Sequence, residues 1–243
     1  MLSLFNRSEL RDLIEKVELG ERLGYEAGVR LMKSKDILAL GYMANLIRER
    51  KNGDRTYFTV NHPVNYMNIY EEAAQGSSGI EERTNAMMIY GQTETLEERV
   101  KQLLHLRAIQ DRKGEFLTFN PLPFHPKNSQ IEGSMGVQST TGFEDLRMLS
   151  VSRILLDNID HIKTFWLTLG PKLAQVSLNF GVDDLDGTVI EERSKQTTDA
   201  MTEQAMSKRM LIKMIHKAGR QAIEKDTLYH VLNDYGWEGG NQR

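Results

Sequence analysis

Between Asn85 and Phe180, short apolar segments of strand type alternate with helical ones, and this alternation constrains the fold more than any other feature of the chain. Asn85 to Tyr90 reads as a strand that turns at Gly91. Thr95 and Glu98 form a capping box, in which the hydroxyl accepts from a free backbone N–H of the first turn and the carboxylate reaches back. Leu96, Val100, Leu103 and Leu104 give the helix that follows its buried face. Glu115 to Phe119 reads as the next strand. Thr141 and Glu144 form a second capping box opening a helix to about Leu156, and Ile162 to Leu167 reads as a third strand. Pro171 stands where a first helical residue belongs, since the N–H it lacks would go unpaired there. Leu173, Val176, Ser177 and Phe180 line one face of that helix, and Gly181 is placed to end it. Strands alternating with helices build parallel βαβ units. About three such units follow residue 83, too few for a closed barrel of eight.

The flanks differ in character. Leu10, Leu13, Ile14 and Val17 recur at helical spacing, as do Ile37, Leu40, Ala44 and Ile47 behind Asp36, which suits an N-cap. Lys51 to Asp54 turn the chain, and Thr56 to Val60 then reads as a strand. Residues 71–82 contain Gln75-Gly-Ser-Ser-Gly79, a linker composition. Beyond Ser194 a polar stretch leads into a helix ending near Ala218-Gly219, and Leu228 to Leu232 suit a short strand. Asp234 to Arg243 has the composition of a fraying end. The division that follows is 1–55 as an N-terminal helical region, 56–193 as a β/α unit with its join near 71–82, and 194–243 as a small C-terminal helix and tail.

Composition excludes several function classes. The chain of 243 residues is long enough for a sizeable core, and its net charge of -3 gives no general attraction to nucleic acid. No apolar run approaches the roughly 20 residues of a membrane helix, and no signal core follows the N-terminal charges, so a cytoplasmic location is expected. The chain has no cysteine. Disulfides, thiolate metal sites, cysteine nucleophiles and a cysteine-ligated cluster are therefore all excluded for this chain.

Several blocks together carry a resemblance. They are Gly41 to Arg50 with Gly53-Asp54, Asn65 to Asn68, Thr84 to Gly91 with Glu94, Leu106 to Asp111, Pro121 to Pro126, His161 to Lys163 with Trp166, Asp183 to Thr188, and Asp226 to Tyr229. In these the chain resembles the aminofutalosine (aminodeoxyfutalosine) synthase family of menaquinone biosynthesis, radical S-adenosylmethionine enzymes. The resemblance implies an incomplete α/β, TIM-like barrel with N-terminal helices and a small C-terminal α/β tail. It implies S-adenosylmethionine and a [4Fe–4S] cluster as the family's cofactors and a small-molecule substrate as its partner. The parent reaction adds a 5′-deoxyadenosyl radical to 3-[(1-carboxyvinyl)oxy]benzoate with loss of carbon dioxide. One segment departs from the pattern. Where the family carries CxxxCxxC, this chain has Tyr70, Ala74 and Ser77, and several further βα units are missing before Arg83. A cluster is not expected here, because iron–sulfur clusters take thiolate ligands that Tyr70 does not replace.

The candidate site residues lie beside strand ends, where β/α barrels build their active sites. Gly91 and Glu94 follow the strand Asn85–Tyr90 and are candidates for cofactor contact; Glu94 reads equally well as a solvated residue before the Thr95 cap. His125, Lys163, Asp183 and Thr188 are candidates for substrate contact. Against these stand a histidine pinned in a proline-rich loop, a solvated lysine, and an aspartate-rich turn over Asp183, Asp184 and Asp186. The spacing of that turn does not fit a calcium loop, and no metal site is expected. Trp166 reads as core. Gly91, Glu94, His125 and Asp183 are expected to share one rim.

Three readings follow. The first is a shortened family member unable to catalyse the parent reaction alone. The second is a non-catalytic protein that pairs through its open sheet, and the third is an error in the gene model. Loss of barrel strands is expected to leave open edges near Thr56–Val60 and Asn85–Tyr90, unless these two strands meet, and to give either an open sheet that self-associates or a marginally stable monomer that exposes apolar surface.

Overall fold

The computed structural model describes residues 5–60, 84–124, 139–190 and 205–236. Tyr70, His125 and the join at 71–82 lie outside them. Three helices come first, α1 (Arg11–Glu18), α2 (Tyr25–Lys33) and α3 (Ile37–Asn52), followed by β1 (Arg55–Phe58). Then come β2 (Thr84–Tyr90), α4 (Leu96–Lys113), β3 (Phe116–Pro123), α5 (Gly142–Leu155) and β4 (His161–Phe165). The short helices α6 (Trp166–Leu169) and α7 (Pro171–Ser177) lead to β5 (Asp184–Asp186). The chain closes with β6 (Val189–Ile190), β7 (Met206–Ser207), α8 (Lys208–Lys217), β8 (Gln221–Lys225) and β9 (Val231–Asp234).

Local chemistry accounts for most of the element ends. Asp36 caps α3 by accepting from the Ala39 amide at 3.0 Å, and Gly53, at φ 58°, ends it. Both capping boxes form, at Thr95–Glu98 and Thr141–Glu144. Gly114 closes α4 in the left-handed conformation that glycine adopts without a steric cost. Helix α2 has no counterpart among the helices expected from spacing, and α7 stops at Ser177, four residues short of Gly181.

The seven-stranded sheet runs β2-β3-β4-β5-β1-β8-β9, and only its last pair, β8 with β9, is antiparallel. A separate parallel pair joins β6 to β7. The barrel is not closed among the described residues: β2 and β9 are the two edges. This corrects the expected edge at Thr56–Val60. Strand β1 is interior, paired on one side with β5 and on the other with β8 from Arg55↔Gln221 to Phe58↔Glu224. Nor does β1 meet β2, since β3, β4 and β5 stand between them. The expected edge at Asn85–Tyr90 is present as β2.

Strand β3 carries Pro121 and Pro123, neither of which can donate to a ladder. The Phe124 amide donates to the Tyr90 carbonyl at 2.7 Å, so even-numbered residues of β3 bond toward β2. The two prolines therefore face the β4 side. There the ladder covers only Thr118↔His161 and Phe119↔Ile162, so no bond is lost.

One sheet face carries Phe58, Ala86, Met88, Phe119, Ile162, Leu185 and Ala222, which join residues of α1–α5 and α8 in one apolar core. Two buried arginines tie the strand starts to this helical layer. Arg48 on α3 donates to the carbonyls of Val182, Gly53 and Arg55 and to Thr56 Oγ1; burial lowers its pKa to about 10. Arg153 on α5 donates to the carbonyls of Gly181, Ile159 and Asp160 and pairs with Asp183.

Candidate functional site

Side chains alternate across a strand, so the residues between the core-facing ones point to the opposite, inner face. On β3 these are Thr118 and Asn120; on β4, His161, Lys163 and Phe165; on β5, Asp184 and Asp186; on β1, Tyr57; on β8, Ile223 and Lys225. The register aligns Lys163, Asp184, Tyr57 and Ile223 across four strands. This face is polar at its centre.

The charged groups are paired. Lys163 Nζ lies 2.7 Å from Asp186 Oδ2 and 3.9 Å from Asp184 Oδ2. Lys225 Nζ lies 3.3 Å from Asp184 Oδ2. Burial alone would lower the Lys163 ammonium, but the Asp186 and Asp184 carboxylates outweigh it and raise its pKa. Burial likewise opposes ionisation of Asp186, and Lys163 and the Gly187 amide overcome that and lower its pKa. The four groups form a nearly neutral set of charges.

Tyr229 closes the lower part of this face. It lies between β8 and β9, and its φ of 65° makes it the one non-glycine residue with positive φ among those described. Its ring stacks on His161 with centroids 3.8 Å apart and planes at 7°, and Lys225 Nζ sits 3.9 Å from the ring centroid. Its hydroxyl donates to Asp184. Burial and then the Asp184 charge push its pKa well above the ordinary tyrosine value. A tyrosine with positive φ is held there by its surroundings, and such backbone strain clusters at functional sites.

Toward the C-terminal strand ends, polar atoms without partners appear. Asn120 Oδ1 and Trp166 Nε1 are buried and have no hydrogen-bond partner among the described residues. Gly187, at φ 149°, packs so closely that a Cβ there would lie 2.2 Å from Trp166 Nε1. Buried polar atoms left unpaired are costly. Such atoms at strand ends are what a polar ligand would satisfy.

The sequence candidates are not all brought together. Gly91 and Glu94 lie past the C-terminal end of β2. Glu94 accepts from the Gly91 amide at 2.6 Å, the Gln92 amide at 2.9 Å and Arg99 Nε at 2.7 Å. Burial works against its charge, yet these donors hold its pKa low. Asp183 precedes β5, at the opposite end of the sheet, which corrects the expectation of a single rim. The reason is the register: Asp183 sits level with Ile162, whose amide donates to its Oδ1 at 2.8 Å. Its other partners are Arg153 and His161 Nδ1, the latter at 2.6 Å. Lys163 and Thr188 lie nearer the C-terminal ends, and the Thr188 carbonyl accepts from the Met206 amide. Asn120 is not among the sequence candidates, although Thr118 and Asn120, two polar residues at period two inside an otherwise apolar strand, signal an inner face. Tyr229 and Lys225 gave no comparable signal, because their placement depends on β8 pairing with β1.

No group of three or more potential metal ligands occurs among the described residues. With no cysteine in the chain, its donor set does not fit a [4Fe–4S] cluster.

Among the described residues, an open, mostly parallel sheet with helices packed on one face and a buried, charged inner face defines a partial β/α-barrel protein. Residues 113–235, about half of the chain, match the family described as CofH/MqnC C-terminal region, and the chain belongs to that family. Among curated relatives it is similar to aminodeoxyfutalosine synthase of Thermus thermophilus, with 50% identity over 150 residues, 61% of this chain and 40% of the relative. The aminodeoxyfutalosine synthase of Streptomyces coelicolor is 34% identical over 63% of this chain and 42% of its own length. A 5-amino-6-(D-ribitylamino)uracil–L-tyrosine 4-hydroxyphenyl transferase of Methanosarcina mazei is 43% identical over 62% of this chain and 41% of its own length. The chain thus spans about 40% of the length of the curated relatives it matches. In fold it is similar to the FeFe-hydrogenase maturase HydG of Carboxydothermus hydrogenoformans, with a TM-score of 0.58 and 9% identity over 94% of this chain and 83% of that one. Methylornithine synthase (PylB) gives a TM-score of 0.52 and 11% identity over 86% and 96%. No helix among the described residues is long and apolar enough to cross a membrane.

Proposed function

We propose that the chain is a part-length relative of aminodeoxyfutalosine synthase that keeps a substrate-binding inner face and does not start radical chemistry by itself. The observation that carries this is the combination of unpaired Asn120 Oδ1 and Trp166 Nε1 beside the Lys163–Asp186 pair with the absence of cysteine. Three thiolates would be needed to hold the cluster that delivers an electron to S-adenosylmethionine. No step through that cofactor is assigned to this chain.

What the residues do is bind. Lys163, held charged by two carboxylates, offers a carboxylate of the ligand a third partner. Asn120, whose amide can present its N–H in place of its unpaired oxygen, donates to a ligand carboxylate, and Trp166 donates from its ring nitrogen. Thr188 extends the contact from the segment before β6, Gly91 with Glu94 shapes the mouth beyond β2, and His125 is a further candidate for contact with the same ligand. The ligand class is the small aromatic dicarboxylate that the resemblance implies, and the setting is menaquinone biosynthesis in the cytoplasm.

Isothermal titration of the full chain with 3-[(1-carboxyvinyl)oxy]benzoate tests this. Binding by the wild type is expected, with Lys163→Met and Asn120→Leu each weakening it about tenfold or more, the loss of about 1.4 kcal/mol or more that one hydrogen bond to a charged group represents. Absence of binding, or wild-type affinity in both variants, would overturn the reading. A second role, pairing through the open sheet, is favoured by one observation: strand β2 has no neighbour on its outer side among the described residues.

A further inference from the structure

We infer that the outer edge of β2 is a self-pairing interface, in which two copies join antiparallel about a two-fold axis at Met87. The inference rests on the pairing role and not on ligand binding.

The backbone of β2 is built for it. The Tyr90 carbonyl accepts from the Phe124 amide, which turns Tyr90, and with it Met88 and Ala86, toward β3. Alternate residues of a strand bond to opposite sides, so Asn85, Met87 and Ile89 direct their N–H and C=O groups outward. These three positions are symmetric about Met87. An antiparallel copy therefore sets Met87 opposite Met87 and Asn85 opposite Ile89, and each outward donor finds an acceptor.

Nothing in the strand guards this edge. Residues 84–90 contain no proline and no charged side chain, and from Asn85 to Tyr90 the ladder with β3 runs without a bulge. Natural edges are ordinarily blunted by one of these devices. Ala86 and Tyr90 are spent on the core, whereas Met87 and Ile89 remain partly exposed and would pack across the axis.

The helix above the edge is complementary to itself. A groove of about 690 Å³ lies between β2 and α4, bordered by Met87, Ile89, Lys101, Gln102, His105 and Leu106. Those four helix positions are centred between Leu103 and Leu104, so an antiparallel copy brings α4 against α4 over the same axis. The first turn of α4 carries Glu97 and Glu98 and the last turn Arg112 and Lys113. Antiparallel packing sets the acidic end of each helix beside the basic end of the other, which also opposes the two helix dipoles favourably. This charge complementarity selects a second copy of the chain over an unrelated partner.

The chain lacks cysteine, which makes a register test direct. In a hydrogen-bonded antiparallel pair the opposed Cα atoms are about 5.5 Å apart, within disulfide reach. Met87→Cys should link to itself under mild oxidation. Asn85→Cys alone should not, because its two copies stand about 13 Å apart along the strands, but Asn85→Cys mixed with Ile89→Cys should. Sedimentation of the wild type should give a dimer and Met87→Lys a monomer whose circular dichroism is that of the wild type. A monomeric wild type with no Met87→Cys crosslink would overturn the interface, and an Asn85→Cys crosslink as efficient as that of Met87→Cys would overturn its register. Ligand titration reads neither outcome, so a failure here leaves the binding proposal standing, and the reverse.

Discussion

Asp183 shows how much one buried carboxylate can organise. It is fully enclosed, and its two oxygens serve Arg153, His161 and the Ile162 amide. Burial would raise its pKa, but the Arg153 guanidinium and the His161 and Ile162 bonds hold it below the ordinary value. Asp183→Asn leaves Arg153 as a buried charge without a counterion, and a loss of about 3–5 kcal/mol is expected from urea unfolding at pH 7. The sign of the pH dependence follows from a lowered folded-state pKa. The stabilisation is present above the unfolded value of about 3.9 and is lost as pH falls through the folded value. The gap between wild type and variant should therefore be constant through neutral pH and narrow below about pH 4; a gap that stays constant into acid would contradict this role. Asp183, Asp184 and Asp186 were visible in the sequence only as an aspartate-rich turn. The structure divides them: Asp183 joins the helical layer, whereas Asp184 and Asp186 point to the inner face with Lys163 and Lys225. Strand alternation alone predicts that division once β5 is placed, but three residues are too few to place it. Arg153 and Tyr229, which give these carboxylates their partners, are 30 and 45 positions away.

At the scale of elements, whatever is written within a few residues was legible, and whatever depends on pairing was not. The capping boxes at Thr95 and Thr141, the Asp36 cap and the Pro171 start all stand as read, because each is a local exchange of hydrogen bonds. Thr95→Ala and Thr141→Ala should each cost about 1 kcal/mol, seen as a lowered thermal midpoint in circular dichroism, and no loss in either would contradict the capping geometry. Strands β5, β8 and β9 have three, five and four residues and lack a usable apolar period of their own. Gln221–Lys225, in which apolar and polar residues do not alternate, becomes a strand because β1 offers it a parallel ladder. The same pairing explains why β1 is interior. Nothing within Thr56–Phe58 announces that a segment more than 160 residues later will cover it. The third strand expected to reach Leu167 ends at Phe165, where Trp166 turns into a short helix beside Gly187.

For the whole molecule, the family was legible and the completeness of its chemistry was the open question. The motif blocks led to the same relatives that comparison finds, and half of the chain falls within the CofH/MqnC C-terminal region. The parallel order β2-β3-β4-β5-β1 lets the inner face gather Asn120, Lys163, Asp184 and Asp186 from β3, β4 and β5, although the described strands do not complete a ring. A binding surface can survive in such a sheet, because its groups come from adjacent strands. A cluster cannot be rebuilt in the same way, because its thiolates have no substitutes among the side chains present. Ligand binding and radical generation therefore make separate demands on the chain. The most direct test is release of 5′-deoxyadenosine from S-adenosylmethionine by the full chain, after anaerobic incubation with iron, sulfide and a strong reductant. Release no greater than in a protein-free control is the result expected; release that scales with the amount of this chain, accompanied by stoichiometric iron and sulfide on the protein, would contradict it.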